Sequence, residues 1–418
     1  MADVRPFCAV RPAKGREAEI AALPYDVYSR EEARHAVEGK PLSFLRIDRA
    51  ETSFPEDTSP YDPRVYQKAG ELLQGMLDRG EMIQDKEAAY YIYELTMNGR
   101  SQTGIAACAS VDDYLSGRIK KHENTRKEKE EDRIRHVEAC HAQTGPIFLA
   151  CRSDSRLKAL TEAIKERHPD FDFTAEDSVR HRGWRTEGKN EVEEIREAFL
   201  KMDALYIADG HHRAASAVRA ALKKRQEYPE YTGEEAFNFV LSVIFPDDEL
   251  RILDYNRVVR DLNGLSEEEF LAKTAEAFEI RKLPGAEHPK KKGEITLLLG
   301  KQWYLLTKKD CPDSEDPVES LDVSVLQREI LDPILGIEDP KTDKRIDFVG
   351  GIRGLSELEK RTENGMAAAF AMYPTSIQEL FDVADAGKLM PPKSTWFEPK
   401  LRSGLYLHLL ADLEGNES

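Results

Sequence analysis

At 418 residues, with 40% hydrophobic and 33% charged residues, the chain has room for two or three domains and the composition of an ordinary globular protein, which excludes a disordered, fibrous or disulfide-stapled scaffold. Its formal charge of −17 gives a surface repelled by nucleic-acid phosphates and anionic lipids, so general DNA binding is disfavoured. The cysteines (Cys8, Cys108, Cys140, Cys151, Cys311) are odd in number and never in Cys-x-x-Cys spacing, which speaks against a disulfide framework or zinc ribbon and for a reducing compartment.

Met1 to Val10 carries no apolar run of signal-peptide length, and no stretch approaches a membrane span, so a cytoplasmic protein is expected. From about Pro6 to Asp85, loop punctuation at Leu23-Pro24-Tyr25-Asp26, Phe54-Pro55 and Pro60-Tyr61-Asp62-Pro63 surrounds a helical pattern over Val65 to Arg79. Two strand-like runs follow, Ala89 to Met97 and Thr103 to Val111, joined by Asn98-Gly99, a pair suited to a tight hairpin because both residues tolerate positive φ.

Thr125 to about His141 reads as a helix, opened by a capping box of Thr125 with Glu128. Gly145 to Cys151 reads as a buried strand, and helical patterns at Ser155 to Arg167 and Val192 to Met202 lead to the apolar run Ala204 to Ala208. That run stops at Asp209-Gly210 and gives way to an alanine-rich helix ending near Lys224. Phe237 to Phe245 is a further buried strand, Leu265 to Thr307 has helix and hairpin character, and Cys311 to Pro317 is a polar loop. Ala367 to Met372 reads as a buried strand, and the proline-rich stretch from Met390 to Lys400 as extended backbone. The expected fold class is mixed α/β (α+β), divided into an N-terminal region 1–88, a phosphate-binding core 89–245 and a C-terminal region 246–418.

Three constellations could carry chemistry. In Asp209-Gly210-His211-His212-Arg213 a strand turns into a helix, whose free N–H groups and dipole favour an anion. Gly210 permits close backbone approach, Arg213 can fork onto phosphate oxygens, and Asp209 could hold magnesium or a substrate group. The plainer alternative makes Asp209 an N-cap and the histidines a solvated first turn.

The second constellation is Lys121, His122, Glu123 and Thr125, running through Arg126 into Lys129 and Arg133, where the two bases share a helix face. It is a candidate anion site within an acidic chain, against the alternative that Glu128, Glu130, Glu131 and Asp132 neutralise it along an exposed helix. Glu123 stands before this helix, where a carboxylate could take a proton from an attacking hydroxyl. The third is Lys393-Ser394-Thr395 with Lys400, a basic strap or a loop tied down by Trp396 and Phe397. Gly350-Gly351-Ile352-Arg353-Gly354 lacks phosphate-loop spacing and reads as a turn.

Taken together, Pro24-Tyr25-Asp26-Val27, Lys121-His122-Glu123-x-Thr125, Lys129 with Asp132-Arg133, Asp209 to Arg213, and Met390 to Thr395 resemble a large prokaryotic family catalogued as domain of unknown function 1015, over nearly the whole chain. Within it, Ile119 to Ala221 is similar to the core shared by ParB-type nucleotide-binding proteins, sulfiredoxin and the free-serine kinases. Those kinases, the archaeal ADP-dependent enzyme among them, have a His-Glu pair, a helix, and a strand ending in an Asp-Gly-His-x-Arg turn. The same order occurs here with the two acids 86 residues apart, a spacing that implies inserted helices. Sulfiredoxin has its reactive cysteine in the corresponding turn, whereas His211 follows Gly210 here, so thiol chemistry is not expected.

The resemblance implies a ParB/sulfiredoxin-like core and a small-molecule kinase: Glu123 as base towards a serine hydroxyl, with Asp209 and His211 catalytic. Gly210, His211, His212 and Arg213 would bind phosphate, assisted by Lys121, His122, Thr125, Lys129, Arg133, Lys393 and Lys400, and Asp209 would hold Mg2+. The expected partners are a donor (ATP, ADP or pyrophosphate) and a small hydroxyl-bearing metabolite, free L-serine first, with homo-oligomerisation left open and neither nucleic acid nor membrane. The rival expectations are a ParB-like nucleotide-binding adaptor, for which no basic recognition helix is found, and a non-catalytic metabolite sensor.

Overall fold

The computed structural model describes residues 1–125, 127–309 and 315–410; Arg126, Cys311 and part of the expected 311–317 loop lie outside the described residues. The chain divides into two compact units: Met1–Leu250 rejoined by the segment from Pro399, and Arg251–Glu398. Both combine helices with sheets, so the fold class is mixed α/β. No helix among the described residues is long and apolar enough to cross a membrane, and Cys8, Cys108, Cys140 and Cys151 are free thiols.

Among the described residues the main sheet of the first unit has nine strands: β1 (Val4–Arg5), β2 (Tyr91–Met97), β3 (Arg100–Ser110), β4 (Ile119–Lys120), β5 (Ile147–Cys151), β6 (Phe171–Thr174), β7 (Arg180–Arg185), β8 (Leu205–Asp209) and β9 (Phe239–Pro246). Their order is β4-β8-β5-β9-β3-β2-β7-β6, with β1 on β3. The hairpin β2–β3 forms as the sequence requires, Asn98 and Gly99 both taking positive φ. Strands β5 and β9 pair in parallel and are buried almost throughout, which explains their unbroken apolar runs. Strands β6 and β7 were not read from the sequence; Arg180, Arg182 and Arg185 interrupt the apolar signal, and β7 is held by pairing with β2.

Around this sheet lie α1 (Pro63–Asp78), α2 (Lys127–Cys140), α3 (Ser155–Lys165), α4 (Gly188–Leu200) and α5 (His211–Glu227). Asp62 caps α1 by accepting from the Arg64 N–H, and Pro63 supplies a pre-set first turn. A Cβ at Gly70 of α1 would stand 2.3 Å from the Ala139 carbonyl oxygen, so glycine lets α1 and α2 touch. Ala214, Ala217, Val218 and Ala221 line the buried stripe of α5. The expected capping box at Thr125 does not form: α2 opens at Lys127, and the Thr125 hydroxyl donates to Glu130 Oε1, five residues on.

The segment from Pro399 to Leu410 completes the first unit. Its His408–Leu409 strand pairs antiparallel with Ala142–Gln143, with bridges Leu407 to Val10 and Ser403 to Ala22. Leu401, Leu405 and Leu407 are buried. Arg402 donates to Nε2 of His181 at 3.2 Å, so His181 carries its proton on Nδ1 and donates it to Tyr93 Oη at 2.8 Å.

Burial, reinforced by the Arg402 charge, pushes His181 down to about 3. An unfolded histidine takes its proton near pH 6.5, so between those values the unfolded state binds more protons. The stability from keeping His181 neutral is therefore complete above pH 6.5 and lost as pH falls towards 3, on the order of 5 kcal/mol. Melting temperatures between pH 7.5 and 4 should fall, and His181→Gln should flatten the decline; an identical slope in the variant would assign it elsewhere.

The second unit is built on an antiparallel sheet of six strands among the described residues: β10 (Tyr255–Val259), β11 (Phe278–Lys282), β12 (Glu294–Leu299), β13 (Gln302–Lys308), β14 (Ile346–Gly350) and β15 (Ala368–Met372), ordered β11-β13-β12-β15-β10-β14. Val258, Leu298, Trp303, Leu358 and Ala369 form its core. Gly350-Gly351-Ile352-Arg353-Gly354 is the turn between β14 and the helix Gly354–Glu363.

Candidate functional site

The site is positioned by one parallel pairing. Strand β4 runs beside β8 with Ile119 opposite Leu205 and Lys120 opposite Tyr206. Two parallel strands in register release their chains at the same end, so His122 and Glu123 emerge beside Asp209 and Gly210. On the other side β5 is antiparallel to β8, with Phe148 opposite Asp209, and brings Gly145 and Pro146 to the same edge. A register shift between Ile207 and Asp209 bends the strand there.

Gly210 takes φ +90°, the left-handed conformation that turns β8 into α5. Asp209 Oδ1 accepts the Gly210 N–H at 2.8 Å, and Oδ2 accepts from Lys400 Nζ at 2.8 Å. Burial works to raise the Asp209 carboxyl, but Lys400 and Arg213 outweigh it and hold the group ionised far below the usual carboxylate range. Gly210, with no side chain, is the N-cap of α5, so Asp209 stands outside the helix and is not its cap.

His211 and His122 are both buried and stack edge to face, ring centroids 4.5 Å apart. Burial pushes His122 down to about 4, against the pull of Asp209 and a hydrogen bond with the Ile207 backbone; burial and His122 push His211 well below its ordinary value. Both rings are neutral at physiological pH, and Nδ1 of His122 and Nε2 of His211 have no hydrogen-bond partner among the described residues. Glu123 Oε2 lies 4.0 Å from His211 Nδ1, with its side chain 46% exposed.

Arg213 folds back beneath the turn: its guanidinium donates to the Pro146 carbonyl, and a Cβ on Gly210 would meet its Cζ at 3.3 Å. It lines a cleft together with Tyr25, Asp48 and Arg133. Arg133 is ion-paired to Asp132 at 2.8 Å and sits 4.2 Å over the Tyr25 ring. Lys129 is exposed and lines an adjoining cleft that shares Tyr25, Asp48 and Arg133.

The structure thus gathers His122, Glu123, Asp209, Gly210, His211 and Lys400 at one strand end, with Arg213 leading to the cleft that Arg133 and Lys129 border. His212 is half-buried and near enough to Glu130 to lower its carboxyl. Thr125 stands just before α2 and donates its hydroxyl to Glu130, which also binds Arg219 at 2.8 Å. Lys121 is exposed, its ammonium 4.8 Å above the Tyr114 ring. Lys393 belongs to the second unit, with φ +60° and its ammonium 5.6 Å from the Tyr255 ring. Sequence reasoning assigned no role to Asp48, a lone acid closing the short helix Leu45–Asp48, and none to Tyr25, although it had singled out the Pro24-Tyr25-Asp26-Val27 motif.

Among the described residues, no group of three or more His, Cys, Asp or Glu side chains is placed to hold a metal ion. Asp209 offers one carboxylate, already bonded to Lys400. Magnesium commonly takes one or two carboxylates with waters and substrate phosphates, so this donor set suits only an ion that arrives on a donor's phosphates.

The molecule is thus a mixed α/β protein whose strand–glycine turn–helix element gathers acid, imidazole and basic side chains at one end of a sheet. The chain belongs to the family described as "Protein of unknown function (DUF1015)", whose model matches residues 4–324. No curated protein sequence matches it. Among solved structures it is similar to a free serine kinase variant in complex with AMP, at 15% identity and a TM-score of 0.35, covering 70% of this chain and 87% of that one. It is also similar to SbnI with C-terminal truncation from Staphylococcus aureus (13% identity, TM-score 0.38, 73% and 87% covered) and to a conserved hypothetical protein from Pyrococcus furiosus (16%, 0.34, 73% and 95%).

Proposed function

We propose that the protein is a phosphotransferase that moves a phosphoryl group from ATP, ADP or pyrophosphate to the hydroxyl of a small metabolite, with free L-serine the leading acceptor. The observation that carries this reading is the placement, by parallel pairing of β4 and β8, of the Glu123 carboxylate beside the glycine turn that opens α5. Phosphoryl transfer depends mainly on positioning and charge neutralisation, and this element supplies both.

Glu123 takes the acceptor's hydroxyl proton, the oxygen attacks the terminal phosphorus, and the bond to the donor's bridging oxygen breaks, leaving the donor one phosphate shorter. The free N–H groups of α5, Arg213 and Lys400 neutralise the phosphate oxygens. Neutral His211 stands between Glu123 and the turn, where it can orient the carboxylate. Asp209 orients Lys400 and remains available to magnesium carried by the donor.

The test is a matrix of the three donors against small hydroxyl compounds with magnesium present, scored for phosphorylated product. O-phosphoserine from serine supports the reading, and binding without turnover replaces it with a sensor. Within the same series, Arg213→Ala should weaken donor binding by about 10- to 100-fold, the worth of a charge-assisted contact of roughly 1.5 to 3 kcal/mol. Calorimetry on folded protein checks this, and unchanged affinity removes Arg213 from the phosphate clamp.

A further inference from the structure

The motif Pro24-Tyr25-Asp26-Val27 has no part in the chemistry above, yet it is firmly built. Arg49 donates to the Tyr25 and Tyr28 carbonyls, both at 2.9 Å, and fixes the 24–28 turn, whose Pro24 and Tyr25 line the same cleft as Arg213. In that cleft Asp48 is 4% exposed. Its Oδ1 accepts from Thr144 Oγ1 at 2.9 Å, whereas Oδ2 has no hydrogen-bond partner among the described residues.

A carboxylate oxygen of a largely buried side chain is stabilised by a donor, and the neighbouring groups do not supply one. The Arg133 guanidinium is engaged with Asp132 and the Tyr25 ring, and His136, 3.9 Å from Asp48, directs Nε2 to the Ile47 carbonyl and is held neutral by burial. The cleft therefore presents an open carboxylate oxygen together with the cationic faces of Arg133 and Arg213.

We propose that this cleft is the acceptor site and that it selects a small zwitterion bearing a hydroxyl, Asp48 receiving its ammonium group and Arg133 facing its carboxylate. The proposal rests on the phosphotransferase reading and adds the residues that choose the acceptor. Asp48 is the specificity-determining group, Thr144 fixes its rotamer, and the Tyr25 turn with Arg133 holds the wall in place.

The test uses the full chain and four probes of similar size: L-serine, glycerate, ethanolamine and glycerol, which carry both charges, the negative alone, the positive alone and neither. Binding is measured by calorimetry without donor, and KM and kcat with the donor that the matrix identifies. Serine should bind at least about tenfold more tightly than either singly charged probe. Asp48→Asn should raise the KM for serine by about tenfold or more while leaving the KM for glycerate and for the donor unmoved. Because Asp48 is buried, Thr144→Val is the second variant, expected to shift the serine KM in the same direction with a smaller effect, and the wild-type probe series needs no variant.

Transfer to all four probes with similar KM, or an Asp48→Asn effect on kcat shared by every acceptor, overturns the cleft assignment and leaves the kinase standing. Serine binding that depends on Asp48 without transfer from any donor supports the cleft and overturns the kinase. Neither binding nor transfer overturns both.

Discussion

Glu123→Gln is expected to lower turnover by roughly 10²- to 10⁴-fold, the usual worth of a positioned general base, with donor affinity nearly unchanged. Glutamine keeps the size and the hydrogen-bonding reach of the side chain but cannot accept the hydroxyl proton. The structure sets Glu123 where this matters: half-exposed, 4.0 Å from His211 Nδ1, and apart from Arg213 and Lys400, which face the phosphates in this reading. An exposed acid with no chemical duty would shift stability by no more than about 0.5 kcal/mol and leave turnover alone. Steady-state kinetics beside donor calorimetry and a thermal melt separate the two cases. Near-normal turnover would remove Glu123 as the base.

A chain ending at Glu398 is expected not to fold its first unit. Leu401, Leu405 and Leu407 are at most 3% exposed, and their burial alone stabilises by roughly 5 to 9 kcal/mol. Whole domains are commonly stable by about 5 to 15 kcal/mol, so the deletion removes a comparable amount before the lost pairing of His408–Leu409 with Ala142–Gln143 is considered. Soluble yield and the calorimetric unfolding transition measure this. The milder pair Leu405→Ala and Leu407→Ala should each cost about 2 to 5 kcal/mol and show whether the loss is graded. A shortened chain with a native-like transition for the first unit would show that the segment is dispensable.

Local features were legible in the sequence because their causes are local. Asn98-Gly99 turns a hairpin by its own backbone preferences, and Asp209-Gly210 ends an apolar run where only glycine suits φ +90°. The neighbourhood of Glu123 and Asp209 was legible only through a resemblance, since pairing across 86 residues leaves no periodic trace at either strand. Strand β4 is two residues long, too short for any alternation to register. The cleft wall was less legible still. Asp48 is one acid among many in the sequence, and what distinguishes it is burial beside Thr144, a contact made by chain segments nearly a hundred residues apart.

The way the chain leaves the first unit at Leu250 and returns at Pro399 has a consequence for its synthesis. Ribosomes add about 5 to 20 residues per second, so the intervening segment occupies on the order of ten seconds. During that interval the nascent first unit lacks Lys400, and Asp209 has no ammonium partner; the buried Leu401, Leu405 and Leu407 are still untranslated. The second unit, continuous in sequence, is free to fold in the meantime. Completion of the candidate site is thus tied to late translation, and a ribosome stalled between the two junctions holds a first unit whose Asp209 still lacks Lys400.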